Sequence, residues 1–129
     1  MTVDNLWGDL PKLENLKSPR KILQEQADLL SAMTDDNLRG HVRTETAGEE
    51  IVHELEVIAP YINNYRTTVL RITHGPVIYP VHVQQGTNLG RSLLCNDSVT
   101  LIQALKGVLQ SAEVRKLIAS LITQSREVR

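Results

Sequence analysis

Phenylalanine is missing from this chain, and the other aromatics are one tryptophan, Trp7, and three tyrosines. Stacking platforms of the kind that hold single-stranded nucleic acid are therefore scarce. A core must be built from Leu, Ile, Val, Ala and Met. Cysteine is almost absent as well. Cys95 stands alone, which excludes an intramolecular disulfide and any two-thiol metal or redox motif. Neither sign of charge dominates, with 14 Lys and Arg against 15 Asp and Glu and a net charge of −1. The basic residues are spread along the chain, so the concentrated positive footprint of a nucleic-acid interface is lacking. No apolar run approaches the ~18 residues needed to span a bilayer. The first residues carry no basic stretch followed by a long apolar one, so the expected location is cytoplasmic.

What remains is a composition close to the globular average, 41% hydrophobic and 22% charged in 129 residues. That length supports one core. We expect a single domain over 1–129, made of a leader (1–17), an α-β-β-β-β-α-α core (18–124) and a polar tail (125–129). In the leader, Leu6, Trp7, Leu10, Leu13 and Leu16 mark a segment that lies on something, its own domain or a partner subunit. Asp9 is placed to cap a short helix there, with Pro11 in its first turn.

Helical signals stand at both ends. Ser18 is a good N-cap with Pro19 behind it, and Ile22, Leu23, Ala27, Leu30 and Met33 fall on one stripe, predicting a helix over 19–33. Near the other end, Asn96 or Asp97 caps a helix over 98–110 with Leu101, Ile102, Leu105, Val108 and Leu109 on its stripe. Ser111 caps another, carrying Val114, Leu117, Ile118, Leu121 and Ile122.

Between them the apolar period is two. Leu38, Gly40 and Val42 alternate with Arg39, His41 and Arg43. After Gly48-Glu49, the residues Ile51, His53, Leu55 and Val57 alternate with Val52, Glu54, Glu56 and Ile58. A type II′ turn with Gly48 at its first central position pairs Val42 with Leu55, Arg43 with Glu54 and His41 with Glu56. Asn63-Asn64 is a loop. Tyr65 to His74 forms a third strand, with Thr68, Leu70 and Ile72 inward. Gly75-Pro76 turns the chain into a fourth strand bearing Val77, Tyr79, Val81 and Val83. Pro80 lacks a donor, so this strand should have a free edge there. Ser92 to Cys95 is a short candidate fifth strand. The fold class is α+β: a four-stranded or five-stranded antiparallel meander with an N-terminal helix and two C-terminal helices covering one face.

Familiar catalytic patterns fail on spacing. His53-Glu54-Leu55-Glu56 begins like a zinc-protease helix motif, but Val57 stands where the second His belongs, and on a strand His53 and Glu54 point to opposite faces. Gly86 to Ser92 looks faintly like a phosphate loop, with one residue too few between its glycines and Arg91 in place of the lysine. Cys95, a free cysteine flanked by Leu93 and Leu94, reads as a small buried hydrophobe. His41 and His82 face outward, His53 inward, and His74 abuts a turn, so three do not converge on a metal. Asn96-Asp97-Ser98 matches a glycosylation sequon but is better read as a helix cap. Glu54 and Glu56, flanked by His41, Arg43 and Arg71, read as a solvated charge ladder on an open sheet face, with Val52, Ile58, Val69 and Ile78 among the charges.

The expected function is a non-catalytic protein–protein interaction module, of accessory, adaptor, chaperone-like or immunity type, self-associating as a homodimer. It needs no cofactor and no metal, and its partner is an unidentified protein. Its interaction surface comprises Trp7, His41, Arg43, Glu54, Glu56, Arg71 and His82. The alternative is a small enzyme or ligand-binding protein whose site lies between sheet and helices, using His53, Tyr79 and Cys95. Nucleic-acid binding ranks third.

Overall fold

The computed structural model describes residues 3–10, 17–86 and 92–128. The order is α1 (Pro19–Met33), β1 (Arg39–Ala47), β2 (Glu50–Ala59), β3 (Tyr65–His74), β4 (Val81–Gln85), β5 (Ser92–Cys95), α2 (Ser98–Leu109) and α3 (Ala112–Val128). The five strands form one antiparallel sheet in the order β1-β2-β3-β4-β5. Neighbours in sequence are neighbours in space, as short connections require. The α+β meander expected from the sequence is the fold observed, with the short fifth strand present.

Local chemistry sets the joints. Ser18 Oγ accepts from the Lys21 N–H at 3.2 Å and opens α1 with Pro19 in its first turn. Asp97 and Thr100 form a reciprocal capping box at the start of α2. Ser111 Oγ accepts from the Val114 N–H at 3.3 Å as α3 begins. The β1–β2 loop is Gly48-Glu49, with Gly48 at φ +62° and Glu49 not in the left-handed region. That pattern suits a type II′ turn. Asn63 and Asn64 both sit at positive φ, 52° and 55°, between β2 and β3, where Asn is the best tolerated residue after Gly.

The helices cover one face. Leu38, Val42, Leu55, Val57, Leu70, Ile72 and Val81, expected on that face, are all buried. α1 crosses β1 at Gly40, where any Cβ would collide with the backbone of Ala27. The glycine is what lets helix and strand approach so closely. α2 lies over β4 and β5, burying Leu101, Leu105 and Val108. Met33, assigned to the α1 stripe, is instead exposed at the last residue of the helix.

Two strand details depart from expectation. β4 begins only at Val81, after a cis Tyr79-Pro80 bond, and it is paired on both sides, with β3 and β5. Pro80 therefore lies outside the ladder rather than on a free edge; the edge strands are β1 and β5. The β2–β3 ladder also shifts register at Leu55/Glu56, pairing Leu55 with Leu70 but Glu56 with Thr68. The extra residue is Val69. A β-bulge reverses the alternation beyond it, and Val69 is buried in the core cluster rather than on the outer face. α3 continues to Val128, through most of the expected polar tail.

Candidate functional site

Apart from Trp7, the residues singled out from the sequence fall into three places. The open face of the sheet holds the charge ladder in the expected register: His41 opposite Glu56, and Arg43 opposite Glu54, which in turn faces Arg71. Glu54 Oε1 lies 3.7 Å from Arg43 Nη2 and 3.5 Å from Arg71 Nη2, and its Oε2 accepts from the Thr68 hydroxyl at 3.1 Å. Arg66 Nη1 stands 3.8 Å from Glu56 Oε1, an oxygen that has no hydrogen-bond partner. His82 is exposed on the same face, two strands away from Glu54.

The ladder was expected to be wet, and in this respect the reading is corrected. Glu54 and Glu56 are only 8% and 4% exposed. Both point outward, yet they sit on β2, between β1 and β3, whose long side chains Arg43, Arg66 and Arg71 fold over them. Burial here is lateral: the surface available for contact is His41, Arg43 and His82 rather than the carboxylates.

The second place is a hydrogen-bonded chain under the opposite face. His74 Nδ1 lies 2.8 Å from the Gly75 carbonyl, which can only accept, so in the neutral ring the proton is on Nδ1. Nε2 of His74 then accepts from Nε2–H of His53 at 2.9 Å, and Nδ1 of His53 accepts from the Thr44 hydroxyl at 2.9 Å. Every ring nitrogen is used. Burial, the neighbouring His74 and the Arg20 guanidinium lower the His53 pKa to about 4. The sequence contained the signal for this partner. His74 shares parity with Leu70 and Ile72 on β3, and so the inward face with His53.

The third place is the margin of β5. Cys95 is buried and its thiol contacts the Thr100 carbonyl at 3.7 Å. Burial, then the Asp97 carboxylate, raises the Cys95 pKa, which disfavours the thiolate a nucleophile would need. The same causes raise that of Tyr79, with Cys95 adding to them. The Tyr79 hydroxyl is buried without a partner. His53 does not join this pair. Two strands intervene between β2 and β5, a separation of about 14 Å at the usual strand spacing. The expected pocket of His53, Tyr79 and Cys95 is not assembled.

Two concavities form where the sequence marked none. A cavity of about 690 Å³ lies between the sheet and the start of α3, with Val69, Val83, Val108, Val114 and Leu117 in its wall and Gln85 at its polar side. Gln85 Nε2 donates to Ser111 Oγ and to Glu113 Oε2 at 3.2 and 3.3 Å. This cavity depends on Val69, which the bulge turned inward, so sequence alternation alone hides it. A groove of about 350 Å³ runs between α1 and α2, floored by Ile22, Ile102, Leu105 and Leu109. Trp7 lies in neither; it is 85% exposed. The helix expected from Asp9 onward falls mostly on 11–16, and most of the glycine loop on 87–91, outside the described residues.

The described residues contain no group of three or more His, Cys, Asp or Glu that could hold a metal ion. None of their helices is long and apolar enough to cross a membrane. By class, the chain is one antiparallel sheet of five strands with helices on one side. Comparison with protein-family models, curated proteins and solved structures returns no match to it.

Proposed function

We propose that the chain is a non-catalytic interaction module that associates with itself. The supporting observation is the set of large apolar side chains left in water outside a closed core. Leu6, Trp7 and Leu10 stand exposed before α1, Leu93 and Leu94 on the edge strand β5, and Val99 and Ile102 on α2. Scattered apolar residues are ordinary on a surface, but an exposed Trp flanked by leucines is the composition of a contact anchor. An edge strand without a charged residue is likewise open to pairing. The chemistry of the histidines and of Cys95 points the same way. His53 and His74 are hydrogen-bonded to saturation, and the thiol is held protonated.

Sedimentation equilibrium over a wide concentration range tests the reading. A mass that climbs from 14.5 kDa toward twice that value is expected. A mass that stays at the single-chain value up to the highest soluble concentration overturns self-association.

The 690 Å³ cavity beneath α3 supports a second reading, a binding site for a small, mostly apolar molecule. Saturable one-to-one binding of an apolar fluorescent probe, abolished by Val114→Trp, is expected on that reading. Unsaturable binding indifferent to the substitution would end it.

A further inference from the structure

We propose that residues 5–10 of one copy dock into the α1–α2 groove of a second copy, and reciprocally, giving a two-fold dimer with exchanged arms. This rests on the self-association reading and names its contact.

The arm is shaped before it meets anything. The Trp7 N–H donates to Asn5 Oδ1 at 3.0 Å, Asn5 Nδ2 donates to the Gly8 carbonyl at 3.2 Å, and Gly8 takes φ +68°. Such an Asx turn fixes the local backbone and holds Leu6 and Trp7 out to solvent. A side chain presented on an ordered turn loses less entropy on docking than one on a loose chain. Trp is also the residue type most often found as the buried anchor of an interface.

The groove complements it in shape and charge. Its floor is aliphatic, Ile22, Ile102, Leu105 and Leu109, and its size falls at the lower end of those that enclose a ligand. The rim carries Lys17 and Lys106 against a single Glu25, which pairs with Lys17 at 3.1 Å. Residues 5–10 carry Asp9 and no basic residue, and Asp4 immediately precedes them. The excess of one positive charge on the rim, left by Lys106, is complementary to the acidic arm.

A second copy is the occupant because, within one chain, arm and groove are both left open. Leu6, Trp7 and Leu10 are 92%, 85% and 74% exposed, and Ile102 on the groove floor is 51% exposed. A reciprocal exchange about a two-fold axis covers both surfaces twice with one contact type, the usual economy of a homodimer.

The experiment uses the full chain and its own fluorophore, since Trp7 is the sole tryptophan. Emission and molar mass are followed together against concentration. The expected result is a blue shift that tracks the doubling of mass. Trp7→Ala and Ile102→Glu should each raise the dimer dissociation constant by roughly tenfold or more, as loss of an interface anchor does. Ile102 is half exposed, so Ile102→Glu should leave the melting transition in place. Mixing the two variants is the decisive arm. Trp7→Ala contributes an intact groove and Ile102→Glu an intact arm, so the mixed pair keeps one unaltered arm–groove contact where each variant alone keeps none, and the mixture should recover dimer and blue-shifted emission in part.

A doubled mass indifferent to both substitutions would overturn the arm exchange while sparing self-association. A blue shift at constant single-chain mass would mean the arm folds into its own groove and would equally overturn the exchange, as would a mixture that fails to recover. Red emission with constant mass would bring down the exchange and the self-association reading together.

Discussion

The two faces of strand β2 are buried to nearly the same degree by different means. On one side Leu55 and Val57 are 4% and 2% exposed beneath the helices. On the other, Glu54 and Glu56 reach similar values with no second layer above them, covered sideways by arginines from β1 and β3. Equal burial does not mean equal energetics. Under the helices, burial removes apolar area from water and fills close-packed volume. On the open face it is a desolvation cost, offset by ion pairs whose cationic partners are one-third to one-half exposed and free to swing away.

The largest effect should come from Leu55→Ala. The substitution empties a site in the closed core, and the loss expected for such a truncation is about 2–5 kcal/mol, read as a fall in the denaturant midpoint. A loss below about 1 kcal/mol would mean that the core relaxes into the void, and the contrast between the faces would collapse.

His53, on the same face, comes next, through pH. Its folded-state pKa of about 4 lies below the ordinary 6.5, so between those values the unfolded chain binds more protons than the folded one. The stability associated with the neutral ring is complete above pH 6.5, declines as pH falls toward 4, and is gone below it. The span corresponds to about 3 kcal/mol. His53→Phe should abolish that part of the slope, at the cost of leaving Nε2 of His74 without its donor, about 1–3 kcal/mol at neutral pH. Unfolding curves at a series of pH values test both at once. A wild-type slope that His53→Phe leaves unchanged would place the titration elsewhere.

The faces also differ in how far they could be read from sequence. The helix-facing set was legible because the period-two pattern and the Gly48 turn admit few registers, and the Arg43–Glu54 and His41–Glu56 pairs select one, the register that forms. The charged outward residues lie on the side that alternation predicts, but in a drier environment than an open face suggests. Alternation says which way a side chain points and says nothing of what its lateral neighbours cover. The bulge at Val69 was not legible either. No Gly or Pro marks it, and it arises from how β2 and β3 meet. Because Val69 then turns inward, the cavity under α3 was hidden with it. The His53–His74 contact is legible from parity, since His74 shares the inward face of β3 with Leu70 and Ile72.

The smallest effect tests the open face most directly. Glu56 presents a carboxylate only 5% exposed, 3.8 Å from Arg66 Nη1, with Oε1 accepting no hydrogen bond. A charge so covered has given up its hydration for one long ion pair, a trade that often returns nothing. Glu56→Gln keeps the shape and removes the charge. Arg66, half exposed, returns to water, so no buried cation is orphaned. The expected change lies within about 1 kcal/mol of zero, in either direction, and should be insensitive to added salt. The double variant with Arg66→Ala should then equal the sum of the singles within about 0.5 kcal/mol. A loss above about 2 kcal/mol, or a clear coupling in the cycle, would show that the carboxylate anchors the open face as firmly as Leu55 anchors the covered one. The distinction between lateral cover and a packed layer would then have no energetic content.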